Sequence, residues 1–264
     1  MSPNYEVLAV RYATRTAPAS QVYLNFHLYG EADHPVGMDY FFWVVRSADR
    51  TILVDTGFTP SVGDARGRTT TCPPAEALVR IGLDPATVDT VVITHAHYDH
   101  AGNLDLFPHA RMVIAARELD FWTGPYARRH QFAHVVEQSD IDRLQRLDGE
   151  GRLTRISGSH QVAPGVELFE VGGHTQGQLV VHVTAAARGP VLLASDAVHF
   201  YDELELDRPF YAVADLADVY RGFDTVRDLA ASSGAVLVPG HDPLVMQRFP
   251  ALDPDHPELG VRVG

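Results

Sequence analysis

Three histidines and an aspartate fall within six residues at His95-Ala-His97-Tyr-Asp99-His100, directly after the apolar run Val91–Ile93. Left unpaired at the end of a buried strand, these groups would suffer desolvation and, once protonated, mutual repulsion. A divalent metal removes both costs, because neutral imidazole and carboxylate are its preferred ligands. The competing reading is a solvated His-rich turn, and the placement at a strand end decides against it. Four more segments repeat that placement. Gly172-Gly173-His174-Thr175 follows a strand ending at Val171, and Asp196 follows Val191–Ala194. Pro239-Gly240-His241 follows Ala235–Val238, and Asp55-Thr56-Gly57 follows Thr51–Val54. Any one of these histidines alone would read as an ordinary satisfied side chain. Their recurrence at successive strand ends points to one shared rim, where sites assemble in α/β layers.

The elements that must position them are short. Tyr5–Arg11, Val22–Leu28, Tyr40–Arg46 and Thr51–Val54 read as strands, with Ser47–Arg50 as a hairpin connection between the last two. Phe58–Cys72, rich in Gly, Thr and Ser, reads as a surface loop, and Pro73-Pro74 opens a helix to about Ile81. Ala115 to about Leu147 is helical with a break near Gly124-Pro125. Strands resume at Leu153–Ile156, Val166–Val171, Leu179–Val183 and Val191–Ala194, and a long helix, Asp215–Ala231, precedes the strand Ala235–Val238. The polar tail after Pro250 reads as surface. No Pro/Gly/Ser linker divides the chain, so residues 1–264 are read as a single domain. Thr51–Asp55 (TILVD) and Pro190–Asp196 (PVLLASD) echo each other as apolar strands that deliver an aspartate.

Composition narrows the partners. With 21 Lys plus Arg against 34 Asp plus Glu, the formal net charge of -13 argues against nucleic acid and against anionic membranes. A single cysteine, Cys72, excludes an internal disulfide and a thiolate metal cluster. Met1–Val10 lacks the pattern of a secretory signal, and no apolar stretch approaches the roughly 20 residues that span a bilayer, so a soluble cytoplasmic protein is expected.

In identity and order, His95-x-His97-x-Asp99-His100 followed by His174, Asp196 and His241 resembles the dinuclear hydrolase pattern of the metallo-β-lactamase superfamily, over the chain from about Tyr40 to His241. The resemblance implies an α/β fold, an αββα four-layer sandwich of two mixed β-sheets flanked by helices, with metals at one rim. It implies that His95, His97 and His174 hold one metal, that Asp99, His100 and His241 hold a second, and that Asp196 bridges them. Asp55 matches the family's structural aspartate, which orients ligands. Zinc is the first choice for the two divalent ions, with iron, manganese or cobalt also compatible.

Among the branches, the resemblance is strongest to the N-acyl homoserine lactonases and 4-pyridoxolactonase-like enzymes, through His97–Asn103, Gly173–Gly177 and Ser195–His199. Antibiotic-hydrolysing relatives use a cysteine, or no bridging carboxylate, where this chain has Asp196. Glyoxalase II carries basic residues in a C-terminal region that is acidic here, with one arginine in Phe249–Gly264. One departure stands out. The branch usually places a tyrosine three residues after the bridging aspartate, and this chain has His199, followed by Phe200 and Tyr201. His199 or Tyr201 is then the expected donor to a substrate carbonyl, with Asp99 as proton shuttle. Met38, Phe42, Phe58 and Phe200 are the candidate pocket residues. Phe121-Trp122 through Phe132 reads first as helix packing or a dimer contact, and second as an apolar wall over the site.

The expected activity is therefore opening of a lactone or similar activated ester by a metal-activated hydroxide, in an enzyme of a branch where homodimers are common. The alternatives are a thioester or cyclic amide hydrolase on the same site, or a metal-loaded binding protein without turnover.

Overall fold

Along Pro35–Arg46 the side chains alternate between two apolar environments, Phe41, Trp43 and Val45 on one side and Tyr40, Phe42 and Val44 on the other. A strand buried on both faces belongs to the middle of a layered structure. The computed structural model describes residues 4–264; Met1–Pro3, the start of the segment read as lacking a leader, lie outside the described residues.

The first sheet takes β1 (Glu6–Pro18), β2 (Pro35–Arg46), β3 (Thr51–Val54), the short β4 (Thr69–Thr70), β5 (Thr90–Val92), β6 (Arg111–Ala115) and β7 (Leu153–Ile156). The second takes β8 (Ser159–Ala163), β9 (Val166–Glu170), β10 (Leu179–Val183), β11 (Val191–Ser195) and β12 (Val236–Pro239). A last strand, β13 (Gly260–Arg262), returns to the first sheet, whose order is β13-β1-β2-β3-β5-β6-β7 with β4 also on β1; the second runs β12-β11-β10-β9-β8. Both are mixed: β3, β5, β6 and β7 run parallel while β1, β2 and β3 alternate, and β11–β12 is the parallel pair of the second sheet.

The inner faces of the two sheets meet in one apolar layer containing Trp43, Val54, Val92, Val181 and Leu193. Helices cover the outside. Those are α1 (Pro60–Ala65), α2 (Pro74–Arg80), α3 (Ala116–Thr123), α4 (His130–Ala133), α5 (Gln138–Gly149), α6 (Tyr201–Glu205), α7 (Leu216–Ser233) and α8 (Val245–Arg248). The outer face of the first sheet packs on Leu78 of α2, Leu119 and Trp122 of α3, and Ile141 and Leu144 of α5. The second packs on Val219, Phe223 and Val226 of α7. This is the expected αββα arrangement of two mixed sheets between helices. Among the described residues no helix is long and apolar enough to cross a membrane.

Three expectations need correction. Val22–Leu28 is not a strand: Asn25 takes a left-handed turn at φ 52° and Phe26–Tyr29 coils into a 3-10 helix. The polar tail is not all surface, because Leu259, Val261 and Val263 are buried and β13 pairs with β1. Phe58–Cys72 is more ordered than a loop, since Thr59 caps α1 by accepting from Val62 N and β4 adds to β1.

Candidate metal centre

The ligand residues sit just beyond strand ends of both sheets. Just past β5 the chain turns through Thr94–Ala101, and this turn is fixed from below by Asp55, which follows β3. Asp55 Oδ1 accepts from Thr94 N at 2.8 Å, and Oδ2 accepts from Thr94 Oγ1 at 2.8 Å and from His100 Nδ1 at 2.7 Å. Asp55 holds a left-handed backbone, φ 62°, which aspartate tolerates better than most residues. The loop after β9 is shaped by Gly173, at φ 91°, where a Cβ would lie 2.5 Å from Val219 N. At Gly240, after β12, a Cβ would lie 2.7 Å from Asp196 Oδ1. Glycine there lets the His241 loop close onto the aspartate that follows β11.

All seven residues expected to bind metal converge. His95, His97, His174 and Asp196 form one buried group and Asp99, His100 and His241 another, with the ligand atoms of each group within 4.8 Å of one another. Asp196 stands between them. Its Oδ1 lies 3.2 Å from both His100 Nε2 and His241 Nε2, while its Oδ2 lies 3.4 Å from His174 Nε2 and 3.8 Å from His95 Nε2. Asp99 Oδ2 is 3.8 Å from His100 Nε2 and from His241 Nε2.

The orientation of the rings tests whether a cation fits. His100 Nδ1 donates to Asp55, His174 Nδ1 to the Ala212 carbonyl at 2.9 Å, and His241 Nδ1 to the Asp39 carbonyl at 2.8 Å. In the neutral form of these three rings the proton is spent on Nδ1 and the Nε2 presents a lone pair to the centre, while His97 meets His174 Nε2 through its own Nδ1 at 3.0 Å. Acceptors therefore face acceptors, and His95 Nε2, His100 Nε2 and Asp196 Oδ1 are buried without a hydrogen-bond partner. Such an arrangement is unfavourable without positive charge between the groups and suits two divalent ions. Burial first, and neighbouring imidazoles second, hold His95 and His97 far below the usual histidine range, and burial takes His174 down to about 3. For His100 burial also favours the neutral ring, but Asp196, Asp99 and Asp55 outweigh it and raise it well above the usual value. The site wants cations, and the lone pairs are in place to hold them.

The remaining candidates divide. His199 joins the cluster: its Nε2 lies 3.1 Å from Asp196 Oδ2, its Nδ1 lies 3.2 Å from Glu203 Oε1, and its ring stacks on Phe210 with centroids 3.8 Å apart. Burial favours the neutral ring there, yet the two flanking carboxylates push His199 up to about 9. Tyr201 does not join. Its hydroxyl donates to the Leu237 carbonyl at 3.2 Å and Arg248 covers its ring, so it faces the inner apolar layer and not the metals. Met38 lines the cavity above the ligands. Phe42 and Phe58 do not: Phe42 of β2 and Phe58, just after β3, are buried in the outer apolar cluster of the first sheet, packed on Tyr12. Phe200 is likewise buried away from the cavity, beside Tyr23.

Two hollows that share His97 and His174 in their walls open over the ligands. A cavity of about 230 Å³ beside His97 and His174 is walled by Phe121, Trp122, Phe132, Tyr211 and Val213. A smaller one of about 40 Å³, reaching Asp99, Asp196 and His241, is rimmed by Arg15, Met38, Tyr40 and Arg68. The aromatic patch of α3 and α4 thus packs on the core and also forms a wall of the site, the reading placed second from sequence.

Residues 38–241 match the model of the metallo-beta-lactamase superfamily. The chain belongs to that superfamily. Within it, the chain is 31% identical over 178 residues to the N-acyl homoserine lactonase AttM of Azorhizobium caulinodans, covering 62% of this chain and 61% of that protein. It is 29% identical over 225 residues to the N-acyl homoserine lactonase AiiB of Agrobacterium fabrum, covering 76% and 78%. The match thus spans less than two thirds of the length of the Azorhizobium protein. The solved structure of a quorum-quenching N-acyl homoserine lactone lactonase superposes with a TM-score of 0.76 at 20% identity, over 92% of this chain and 94% of that one. AidC, a dizinc quorum-quenching lactonase solved with a product, superposes with a TM-score of 0.68 at 17% identity, over 92% and 89%.

Sequence reasoning missed the carboxylates that brace this superfamily member's site from outside. Glu118 of α3, fully buried, accepts from Ala96 N at 2.9 Å, Gly177 N at 2.8 Å and Trp122 Nε1 at 2.7 Å, and so ties the His95–His97 and His174 loops together. Glu203 accepts from His199 N at 3.0 Å and Phe200 N at 3.2 Å. The four-residue spacing from His199 to Glu203 was a readable signal for the second; Glu118 had none in the sequence.

Proposed function

We propose that this protein is a metal-dependent hydrolase that opens a lactone, an N-acyl homoserine lactone or a related ring, at a dinuclear centre. Asp196 carries the reading, since it offers one oxygen to each group of imidazoles. His95, His97 and His174 with Asp196 would hold one ion, and Asp99, His100 and His241 with Asp196 the other. The all-N/O donor set favours zinc and accommodates iron, manganese or cobalt. The lactonases among the relatives support the substrate class, and the acidic net charge of -13 favours a small molecule over nucleic acid. A homodimer is part of the same proposal.

When bound, the ions supply an activated water at neutral pH and an electrophile for the carbonyl. The chain's own groups do the rest. Phe121, Trp122 and Phe132 shield the acyl or ring portion from water in the larger cavity. His199, held by Glu203 and Phe210, keeps a nitrogen against the Asp196 carboxylate and fixes its orientation. Asp99, at the floor of the smaller cavity, is placed to carry the proton to the departing alkoxide.

The test is a lactone panel, from short- to long-chain N-acyl homoserine lactones to aromatic lactones, followed by proton release with metal-quantified protein. Turnover that scales with two ions per chain is expected. Two bound ions with no lactone opened would overturn the substrate and send the search to thioesters and cyclic amides.

A further inference from the structure

Arg15 and Arg68 stand side by side on the rim of the smaller cavity. The register that pairs Ala13 with Thr70 and Thr14 with Thr69 makes Arg15 and Arg68 the next positions along the β1–β4 ribbon. Like charges in that relation destabilise a sheet edge. Neither is neutralised. Arg68 donates to the Tyr98 hydroxyl at 2.9 Å and to the Arg66 carbonyl at 2.6 Å, and among the described residues neither arginine has a carboxylate within ion-pair distance. Neighbouring arginines behave differently. Arg11 pairs with Asp39, Arg66 with Glu137 and Arg208 with Glu31, as a chain with 34 acidic residues makes easy. Of the acids that share the cavity, Asp99 acts on Arg68 only from beyond ion-pair distance, and its carboxylate, like that of Asp196, lies against the imidazoles. Both guanidinium charges also act on the buried phenol of Tyr40, whose ring lies 5.9 Å from the Arg68 guanidinium carbon. Two half-buried, unpaired guanidinium groups at the mouth of a reaction centre are a costly arrangement unless something anionic arrives to meet them.

We propose that the substrate carries a carboxylate besides the ring that is opened, and that Arg15 and Arg68 bind it at the mouth of the metal centre. The inference rests on the lactonase reading and sharpens it: the preferred lactone is a lactone acid. The planar forks of two arginines match the flat, two-oxygen carboxylate. The apolar cavity on the other side of His97 and His174 receives whatever uncharged substituent the ring bears.

The experiment compares 5-oxotetrahydrofuran-2-carboxylate with its neutral carboxamide on metal-loaded protein, and the R15Q/R68Q double variant with the parent. The parent is expected to prefer the acid in kcat/KM by about tenfold or more, the scale of a desolvated charge-assisted pair. That preference should collapse in R15Q/R68Q and persist in part in R15K/R68K, which keeps the charges and rules out loss of folding. Calorimetric titration supplies a readout without turnover. Glutarate, with two carboxylates, should bind more tightly than butyrate, with one, and only while the arginines are present. Equal use of acid and amide, or an acid preference untouched in R15Q/R68Q, would overturn the proposal. If neither lactone is opened, the lactone panel still decides the lactonase reading, and the arginine-dependent advantage of glutarate over butyrate decides separately whether this is a carboxylate site.

Discussion

Asp55 Oδ2 and His100 Nδ1 lie 2.7 Å apart beneath the ligand cluster, with both side chains essentially inaccessible to solvent. The pair fixes which nitrogen of His100 faces Asp196 and makes that nitrogen a better donor to a cation. Asn at position 55 tolerates the left-handed backbone and preserves one oxygen while removing the charge. Asp55→Asn is therefore expected to weaken metal binding by about ten- to a hundredfold. Competition against a chelator of known affinity measures it, and an unchanged metal affinity would refute the role.

Glu118 offers a second handle on the same centre, through the His95–His97 and His174 loops. Three buried donors converge on its carboxylate, and Glu118→Gln would set an amide N–H against at least one of them. The expected cost is about 3 kcal/mol in unfolding free energy, with metal content falling alongside because both ligand loops are released. Urea denaturation reads the first effect and elemental analysis the second. A variant as stable as its parent would show the carboxylate to be a bystander.

His199 and Tyr201 are close in sequence and opposite in orientation, which makes them separable. Tyr201→Phe removes the bond to the Leu237 carbonyl and should cost about 1 kcal/mol of stability with turnover retained. His199→Phe keeps an aromatic ring against Phe210 but removes both nitrogens, and turnover should fall by about tenfold or more. Steady-state rates on metal-quantified protein decide the matter. The reverse ranking would restore Tyr201 as the donor.

Stability has its own pH signature away from the metals. Burial, together with Glu137 and Asp105, raises Asp140 at the start of α5 to about 7, from an ordinary value of 3.8. The folded chain therefore holds this proton where the unfolded chain has released it. The contribution is fully present below about pH 4 and is lost as pH rises toward 7. After allowance for solvent screening, Asp140→Asn should gain on the order of 1 kcal/mol over the parent at pH 8, and much less at pH 4. Denaturant melts at the two pH values test this, and a gain equal at both would rule it out.

The ligands were legible because each follows an apolar strand whose composition announces it. A histidine or aspartate just past TILV, VVI or VLLA can be placed on a rim without knowing how the layers pack. What was illegible depends on how the layers meet. Phe42 and Met38 fall on the same face of one strand by alternation, and only the packing at each end of it sets Phe42 among the side chains beneath the helices and Met38 at the cavity over the ligands. Glu118, Arg15 and Arg68 are ordinary charged residues in sequence, and their roles arise from distant segments brought close. Val22–Leu28 looked extended by propensity, and the turn at Asn25 overrode it.

The pairing of β13 with β1 carries a consequence for how the protein is made. Glu6 and Arg262 are joined across this edge by an ion pair between residues 256 positions apart in the chain. On the ribosome, β1 emerges long before β13 and must wait for all of the chain between them before this outer neighbour exists. During that interval the long strand presents an open row of backbone donors and acceptors to other nascent chains. Slower elongation through the segment between the two strands would lengthen the exposure, and lower growth temperature or chaperone supply should raise the soluble yield.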